Sequence, residues 1–175
     1  MKVTLISMIT LVCISCNLDK PTTLILPPIS NFEAYHASKA SIDSTQTLAN
    51  SCNRIVTFLS GDCFECISEL KKWVAFKDAV DSEVGYFPIQ IYVYSYDFDR
   101  FKTFLSSEST TPIDFPLLLD VNGQVYEKFL LENGLQDQKI TYLLNSDNEI
   151  ILTGHPLSNQ AIQTKYMNEI KQMKP

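Results

Sequence analysis

Apolar and polar residues alternate in blocks along the chain, and the first clear block predicts a strand followed by a helix. Residues 54–60 (RIVTFLS) form a short β-branched and aromatic run that is typical of a strand, and Gly61-Asp62 end it. From Cys63 to Phe76 apolar residues recur at the spacing of a helical stripe, at Ile67, Leu70 and Val74. The sequence therefore predicts a strand, a tight turn and an amphipathic helix, in that order.

The same pattern of blocks continues to the C-terminus. Further strands are predicted at residues 87–95, 115–119, 140–144 and 149–153, the last two as a hairpin. Further helices are predicted at residues 97–106 with Asp97 as N-cap, from the turn at 120–123 to Leu131, and at residues 159–173. The order is βαβαβαββα, which indicates an α/β fold with a central mixed sheet flanked by helices.

The N-terminal third has a different composition. Residues 1–15 combine Lys2, an apolar run and a small residue before Cys16, which is typical of a lipoprotein signal peptide; an ordinary secretory signal is the alternative. Residues 16–49 are rich in proline and small polar residues and predict a tether, within which residues 24–26 are a candidate edge strand. Residues 50–175 are expected to form one domain.

Composition limits the kinds of partner. The chain has 175 residues, 45% of them hydrophobic, which is enough for one cored domain. Its formal net charge of −6 argues against binding nucleic acid or an anionic lipid surface, since both would repel it. Membrane attachment is therefore expected through lipid on Cys16, after export to the cell envelope, facing the periplasm or the exterior.

Cys63 and Cys66 are the residues with the clearest chemistry. Cys63 lies at the predicted helix start, where the helix dipole and unpaired amides favour a thiolate, and one turn brings Cys66 within reach. Three interpretations remain open at this point: a redox dithiol, a structural or vestigial disulfide, and half of a zinc site. Zinc needs about four donors, and no other cysteine or histidine shows matching spacing. We expect neither a metal nor another cofactor.

Strand, Cys63-Phe64-Glu65-Cys66 and helix together resemble the thioredoxin family, and within it the TlpA-like and redoxin-type envelope lipoproteins. The resemblance implies a thioredoxin-like fold and a thiol–disulfide oxidoreductase in which Cys63 attacks and Cys66 resolves. It also implies protein thiol or disulfide substrates and an envelope electron donor or acceptor. A substrate groove is expected at Phe64, Lys139 and Ile140.

The chain departs from the family pattern at three positions. Asp62 replaces the usual Trp before the first cysteine, Thr57 stands where cytosolic thioredoxins place a buried Asp, and Lys139 occupies the position of the cis-proline. The missing Asp concerns proton transfer and the missing proline concerns substrate binding, so an adaptor or binding module with a structural cysteine pair is the alternative function. The acids Asp62 and Glu65 beside Cys63 oppose a thiolate and favour a reductant or isomerase over a strong oxidant.

Other residues receive plainer interpretations. Cys52 is expected to be a half-buried thiol, separated from the dithiol by the length of a strand. His155 is expected to be an ordinary surface histidine, with a role as catalytic base as the alternative. Tyr92, Tyr94 and Tyr96 alternate on one strand and are expected to pack under a helix, rather than to bind carbohydrate.

Overall fold

Strands and helices alternate along most of the chain in the computed structural model, which describes residues 23–35, 52–62, 64–108, 113, 117–135 and 141–173. The strands in these ranges are β1 (Glu33–Tyr35), β2 (Arg54–Ser60), β3 (Ile89–Tyr94), β4 (Leu117–Leu119), β5 (Thr141–Leu144) and β6 (Ile150–Thr153). The helices are α1 (Phe64–Val84), α2 (Phe98–Glu108), α3 (Val125–Glu132) and α4 (Gln160–Gln172), and a 3₁₀ turn at Ile29–Asn31 precedes β1.

The six strands form one mixed sheet in the order β1-β4-β3-β2-β5-β6. Strands β2, β3 and β4 are parallel, while β1 pairs antiparallel with β4, β5 with β2, and β6 with β5. From β2 onward the element order is βαβαβαββα, so the predicted α/β fold with a central mixed sheet is confirmed. The carboxyl ends of β2, β3 and β4 share one edge of the sheet, and the loops that follow them meet there.

Apolar side chains cover both faces of the sheet. One face packs against α1, α2 and α4 and contains Trp73, Phe101 and Tyr166; the other packs against α3 and the N-terminal segment and contains Phe58 and Phe129. Strand β3 is buried along almost its whole length. The strand predicted at residues 87–95 is therefore packed on both faces, since a central parallel strand is covered on both sides.

Helix α1 is longer than the apolar stripe up to Phe76 predicts. Its buried side continues through Val80 to Val84, and the helix ends where Gly85 takes a φ of +78°. Glycine adopts that left-handed conformation without the steric penalty of a Cβ. The helix therefore ends at this glycine after 21 residues.

Residues 23–35 pack on the domain, although they lie in the segment whose composition predicts a tether. Leu24 is 1% exposed, and β1 extends the sheet at the β4 edge. The prediction of an edge strand at residues 24–26 is wrong, because these residues form no strand. The preceding residue, Thr23, forms an isolated β-bridge with Glu149. The Asn133 side chain instead satisfies the backbone of Ile25, accepting from its N–H at 2.8 Å and donating to its C=O at 3.1 Å.

Two predicted helix starts have capping side chains. The Asp97 carboxylate accepts from the Arg100 amide at 2.9 Å, as predicted, and the Asn159 side chain accepts from the Ile162 amide at 3.0 Å. Within the described ranges, none of the helices combines the length and apolarity that crossing a membrane requires.

Candidate active site

The turn after β2 brings the chain from the sheet edge to the start of α1. The Gly61 amide donates to the Tyr94 carbonyl at 2.8 Å, which continues the pairing of β2 with β3 past the end of the strand. A Cβ on Gly61 would lie 3.0 Å from both Phe101 Cδ2 and Ser95 Cβ. Glycine is therefore needed here because neighbouring side chains leave no room.

Asp62 ties this turn to the loop after β3. Its carboxylate accepts from the Ser95 hydroxyl at 2.6 Å and from the Tyr96 amide at 2.9 Å. From the sequence, Asp62 is a turn residue at the position of the usual Trp and a negative charge beside Cys63. The structure adds a second role, because the residue holds two loops of the carboxyl edge together.

The predicted site residues are only partly within the described residues. Phe64, the first residue of α1, is 61% exposed, and Cys66 is 7% exposed within the core cluster on the α1 face. Cys66 is disulfide-bonded. Cys16, Cys63, Lys139 and Ile140 lie outside the described residues.

Glu69 and His155 form a contact one helical turn beyond Cys66. Glu69 follows Cys66 by three residues on α1, so the two side chains share one side of the helix. His155, in the loop after β6, places Nε2 2.5 Å from Glu69 Oε1, and each side chain is only 14% exposed. The imidazole also lies against Trp73, with ring centroids 5.5 Å apart.

A backbone amide determines which imidazole nitrogen carries the proton. The Leu157 N–H donates to His155 Nδ1 at 3.2 Å, so Nδ1 is an acceptor. The proton of a neutral imidazole then lies on Nε2, which donates to the Glu69 carboxylate. The prediction that His155 is an ordinary surface histidine is wrong, because packing of the β6–α4 loop against α1 pairs it with Glu69.

Sequence reasoning missed Glu69. The available signal was its i, i+3 relation to Cys66, which puts a carboxylate beside the cysteine on one helix side. Its partner could not be found in this way, because His155 is 86 residues away in sequence.

The hydroxyl group of Thr57 belongs to a buried pair within the sheet. Thr57 Oγ1 and Thr141 Oγ1 are 2.7 Å apart and connect β2 with β5. The Tyr166 hydroxyl on α4 donates to the Gly154 carbonyl at 2.7 Å. The Gly154 amide in turn donates to the Thr141 carbonyl at 3.1 Å. These contacts fix the start of β5 and the end of β6, next to the loop that carries His155.

Cys52 lies at the other end of β2. The seven residues of the strand separate it from the turn by about 20 Å. It borders a cavity of about 160 Å³ formed largely by Val84, Phe87 and Ile170. Burial raises the pKa of the Cys52 thiol, and the nearby Arg54 charge opposes that shift in part. Cys52 is therefore held as a protonated thiol at neutral pH, away from the dithiol.

The three alternating tyrosines have different environments. Tyr92 is 2% exposed and stacks on Phe58, and Tyr94 stacks on Tyr126 of α3 with ring centroids 4.1 Å apart. Tyr94 therefore packs under a helix, as predicted, and Tyr92 lies in the buried cluster on the same face of the sheet. Tyr96, just beyond β3, has a fully exposed side chain.

Among the described residues, no group of three or more His, Cys, Asp or Glu side chains has the arrangement of a metal site. No cis peptide bond occurs among the same residues.

Comparison with known proteins identifies the fold. No protein-family model matches the sequence, and no curated protein matches it. A solution structure assigned as a protein disulfide isomerase from Bacteroides thetaiotaomicron aligns with a TM-score of 0.52 at 16% identity, over 71% of this chain and 75% of that one. The thioredoxin domain of a Bacteroides vulgatus thiol-disulfide oxidoreductase aligns with 0.50 at 12% identity, over 87% and 98%.

A third structure shows that one fold serves more than one chemistry. Arabidopsis thaliana ScoI with copper bound aligns with a TM-score of 0.50 at 16% identity, over 70% of this chain and 86% of that one. The chain therefore has a thioredoxin-like fold. At these identities the likeness shows the fold alone, and the chemistry has to be argued from the site.

Proposed function

We propose that this protein is an exported, membrane-anchored thiol–disulfide oxidoreductase of the reductant or isomerase type. The observation that carries the proposal is the position of Cys66. This residue is buried in the first turn of α1, which begins at the carboxyl edge of the sheet. Cys63 precedes it by three residues, next to the exposed start of α1. That arrangement suits an exposed attacking thiolate and a shielded resolving one.

The exchange conserves atoms and electrons between the protein and its client. The Cys63 thiolate attacks one sulfur of a client disulfide, forming a mixed disulfide and releasing the other sulfur as a thiolate. The Cys66 thiolate then attacks Cys63, forms the Cys63–Cys66 disulfide and releases the second client sulfur. The client gains two electrons and two protons, and a dithiol reductant in the envelope restores the protein. In this scheme we assign the Cys66 proton to Glu69, which follows Cys66 by three residues on α1 and contacts His155.

Single-cysteine variants test the proposal. The reduced full-length protein should reduce 2-hydroxyethyl disulfide, and Cys63→Ser should abolish the reaction. Cys66→Ser should accumulate a mixed disulfide with a client, visible by mass spectrometry without reductant. Cys52→Ser is the matched control and should keep wild-type activity, because Cys52 lies beyond the opposite end of β2. No exchange by the wild type would favour the alternative, a thioredoxin-fold adaptor with a structural cysteine pair.

We also propose that Cys16 carries the membrane anchor. The support is the series of Lys2, apolar run and Ser15-Cys16, and one bacterial lipoprotein anchor with several acyl chains holds a protein firmly to a membrane. Mass spectrometry of the mature protein should find a diacyl- or triacyl-glyceryl group on Cys16. An unmodified mature N-terminus at another residue would contradict the proposal.

A further inference from the structure

Tyr96 presents an aromatic ring to solvent at the edge of the sheet where the dithiol motif lies. Its relative exposure is 102%, whereas Tyr92 and Tyr94 on the preceding strand are packed. A large exposed aromatic side chain near a site is the residue type that most often anchors a bound partner.

The backbone beneath this ring is firmly held. The Asp62 carboxylate accepts from the Tyr96 amide and the Ser95 hydroxyl, and Ser95 Oγ accepts from the Asp97 amide at 3.1 Å. The Tyr96 backbone is thereby fixed relative to the residue immediately before Cys63. A ring on an already ordered backbone loses less conformational entropy when it binds.

Phe64, the residue directly after Cys63, has a second exposed ring. It is 61% exposed at the first position of α1. We call Phe64 and Tyr96 the aromatic rim. Because Asp62 connects the Tyr96 loop to the turn that precedes Phe64, both rings belong to the same end of the domain as the dithiol.

The charges around the aromatic rim are mainly negative. Across residues 60–66 and 95–100 the sequence has one basic residue, Arg100, and four acids, Asp62, Glu65, Asp97 and Asp99. All four acids are exposed. Such a surface repels anionic lipid and attracts a cationic polypeptide.

We propose that the aromatic rim binds apolar residues flanking the reactive cysteine of an extended client polypeptide, and that the surrounding acids favour clients with lysine or arginine beside those residues. The inference deepens the proposed function and rests on it, since it names the class of client for the same dithiol. Asp62 is a positioning residue in this scheme, because it acts by holding Tyr96.

Matched disulfide peptides test the inference on the reduced full-length protein. Three peptides share one internal disulfide and differ only in the residues flanking its first cysteine, which are Leu and Lys, Ser and Lys, or Leu and Glu. 2-Hydroxyethyl disulfide, which has no flanking residues, measures the exchange chemistry alone. The readouts are the ratios of second-order rate constants between peptides, each also divided by the rate constant for the small disulfide.

The wild type should prefer Leu over Ser by roughly tenfold, as expected for one aromatic contact. Tyr96→Ser should bring this ratio close to one while keeping the preference for Lys over Glu. Added salt should instead bring the Lys-over-Glu ratio close to one and keep the Leu-over-Ser ratio, because salt screens exposed charges and leaves apolar contact in place. Leu131→Ser, which changes an 83% exposed residue at the end of α3, is the control and should keep both ratios.

Asp62 variants separate positioning from charge. Asp62→Ala should reduce the Leu-over-Ser ratio as Tyr96→Ser does, because the loop loses its acceptor. Asp62→Asn keeps an oxygen acceptor for the Ser95 hydroxyl and the Tyr96 amide and should restore the ratio. An unchanged Leu-over-Ser ratio in Tyr96→Ser, with normal reduction of the small disulfide, would overturn this inference and leave the proposed function standing. Failure of the wild type to reduce the small disulfide would overturn both.

Discussion

At the scale of single residues, the pair of Glu69 and His155 shows how packing assigns a proton. The Leu157 amide donates to Nδ1 of the imidazole, which leaves Nε2 to donate to the carboxylate. The Leu157 amide and the Glu69 carboxylate therefore hold the imidazole from two sides and fix its orientation.

A double-mutant cycle measures this pair. A hydrogen bond to a charged group contributes about 1.5–3 kcal/mol, so His155→Ala should lower the free energy of unfolding by about 2 kcal/mol. Combined with Glu69→Gln, the cycle should give a coupling energy of at least about 1 kcal/mol. The exposed pair Lys128 and Glu132, whose side chains are 71% and 41% exposed, is the control and should couple by less than about 0.5 kcal/mol. Equal couplings in the two cycles would show that His155 does not hold Glu69.

Tyr92 makes the protein sensitive to alkali. Burial raises its pKa to about 12, with partial opposition from the Arg54 charge. Between pH 10 and 12 the unfolded tyrosine ionises while the folded one stays neutral, so stability is complete below pH 10 and falls as pH rises. The slope from one such group is about 1.4 kcal/mol per pH unit.

Denaturant titrations from pH 7 to 12 check this expectation. Tyr92→Phe should show a shallower loss of stability above pH 10 than the wild type. The remaining slope is expected from groups such as Tyr142, whose burial also raises its pKa to about 12. Between pH 7 and 9 the two proteins should respond to pH in parallel. Parallel curves up to pH 12 would instead mean that the Tyr92 hydroxyl ionises in the folded protein.

At the scale of elements, the turn between β2 and α1 depends on close packing rather than on backbone freedom. A Cβ at position 61 would approach Phe101 Cδ2 to 3.0 Å, and overpacking of this kind costs about 1–3 kcal/mol. Gly61→Ala should therefore destabilise the protein by about 2 kcal/mol in a denaturant titration. The same substitution should be less destabilising in a Phe101→Leu background, since the smaller side chain leaves space. An equal effect in both backgrounds would show that the contact with Phe101 is not the cause and would leave Ser95 Cβ, also 3.0 Å away, or the backbone.

The elements themselves were largely predictable from sequence, and the exceptions share a cause. Residues 54–60 have a composition that only a strand suits, and Asp97 marks a helix start by local hydrogen bonding. Leu24, β1 and the extra length of α1 depend instead on what lies against them. An isolated strand of three residues has no intrinsic stability, so β1 exists because β4 offers an open edge.

The candidate site was predictable only in its local part. The dithiol motif, its strand and its helix are contiguous in sequence, and Cys66 lies inside the helix as expected. The contacts of Glu69 with His155 and of Asp62 with Tyr96 join residues 86 and 34 positions apart. Each depends on which loops the sheet order brings to one edge, and a single sequence contains no direct signal for such pairs.

At the scale of the whole molecule, the redox state of the dithiol and the stability of the fold are linked. In a thermodynamic cycle, the stability difference between oxidised and reduced protein equals the difference in disulfide formation energy between folded and unfolded chains. A strong oxidant has a reduced form stabilised by its thiolate. Here the exposed acids Asp62 and Glu65 flank Cys63 and oppose the helix terminus, which contributes only about 0.3–1 kcal/mol.

We therefore expect the oxidised full-length protein to be more stable than the reduced one. Denaturant titrations of Cys52→Ser, which removes the described thiol outside the dithiol motif, should give a higher midpoint after oxidation than in excess dithiothreitol. In Cys52→Ser combined with Cys63→Ser the two midpoints should coincide, because no disulfide can form between residues 63 and 66. A higher midpoint for the reduced protein would mean that the folded state stabilises its thiolate despite the acids. The proposed reductant or isomerase would then be an oxidant.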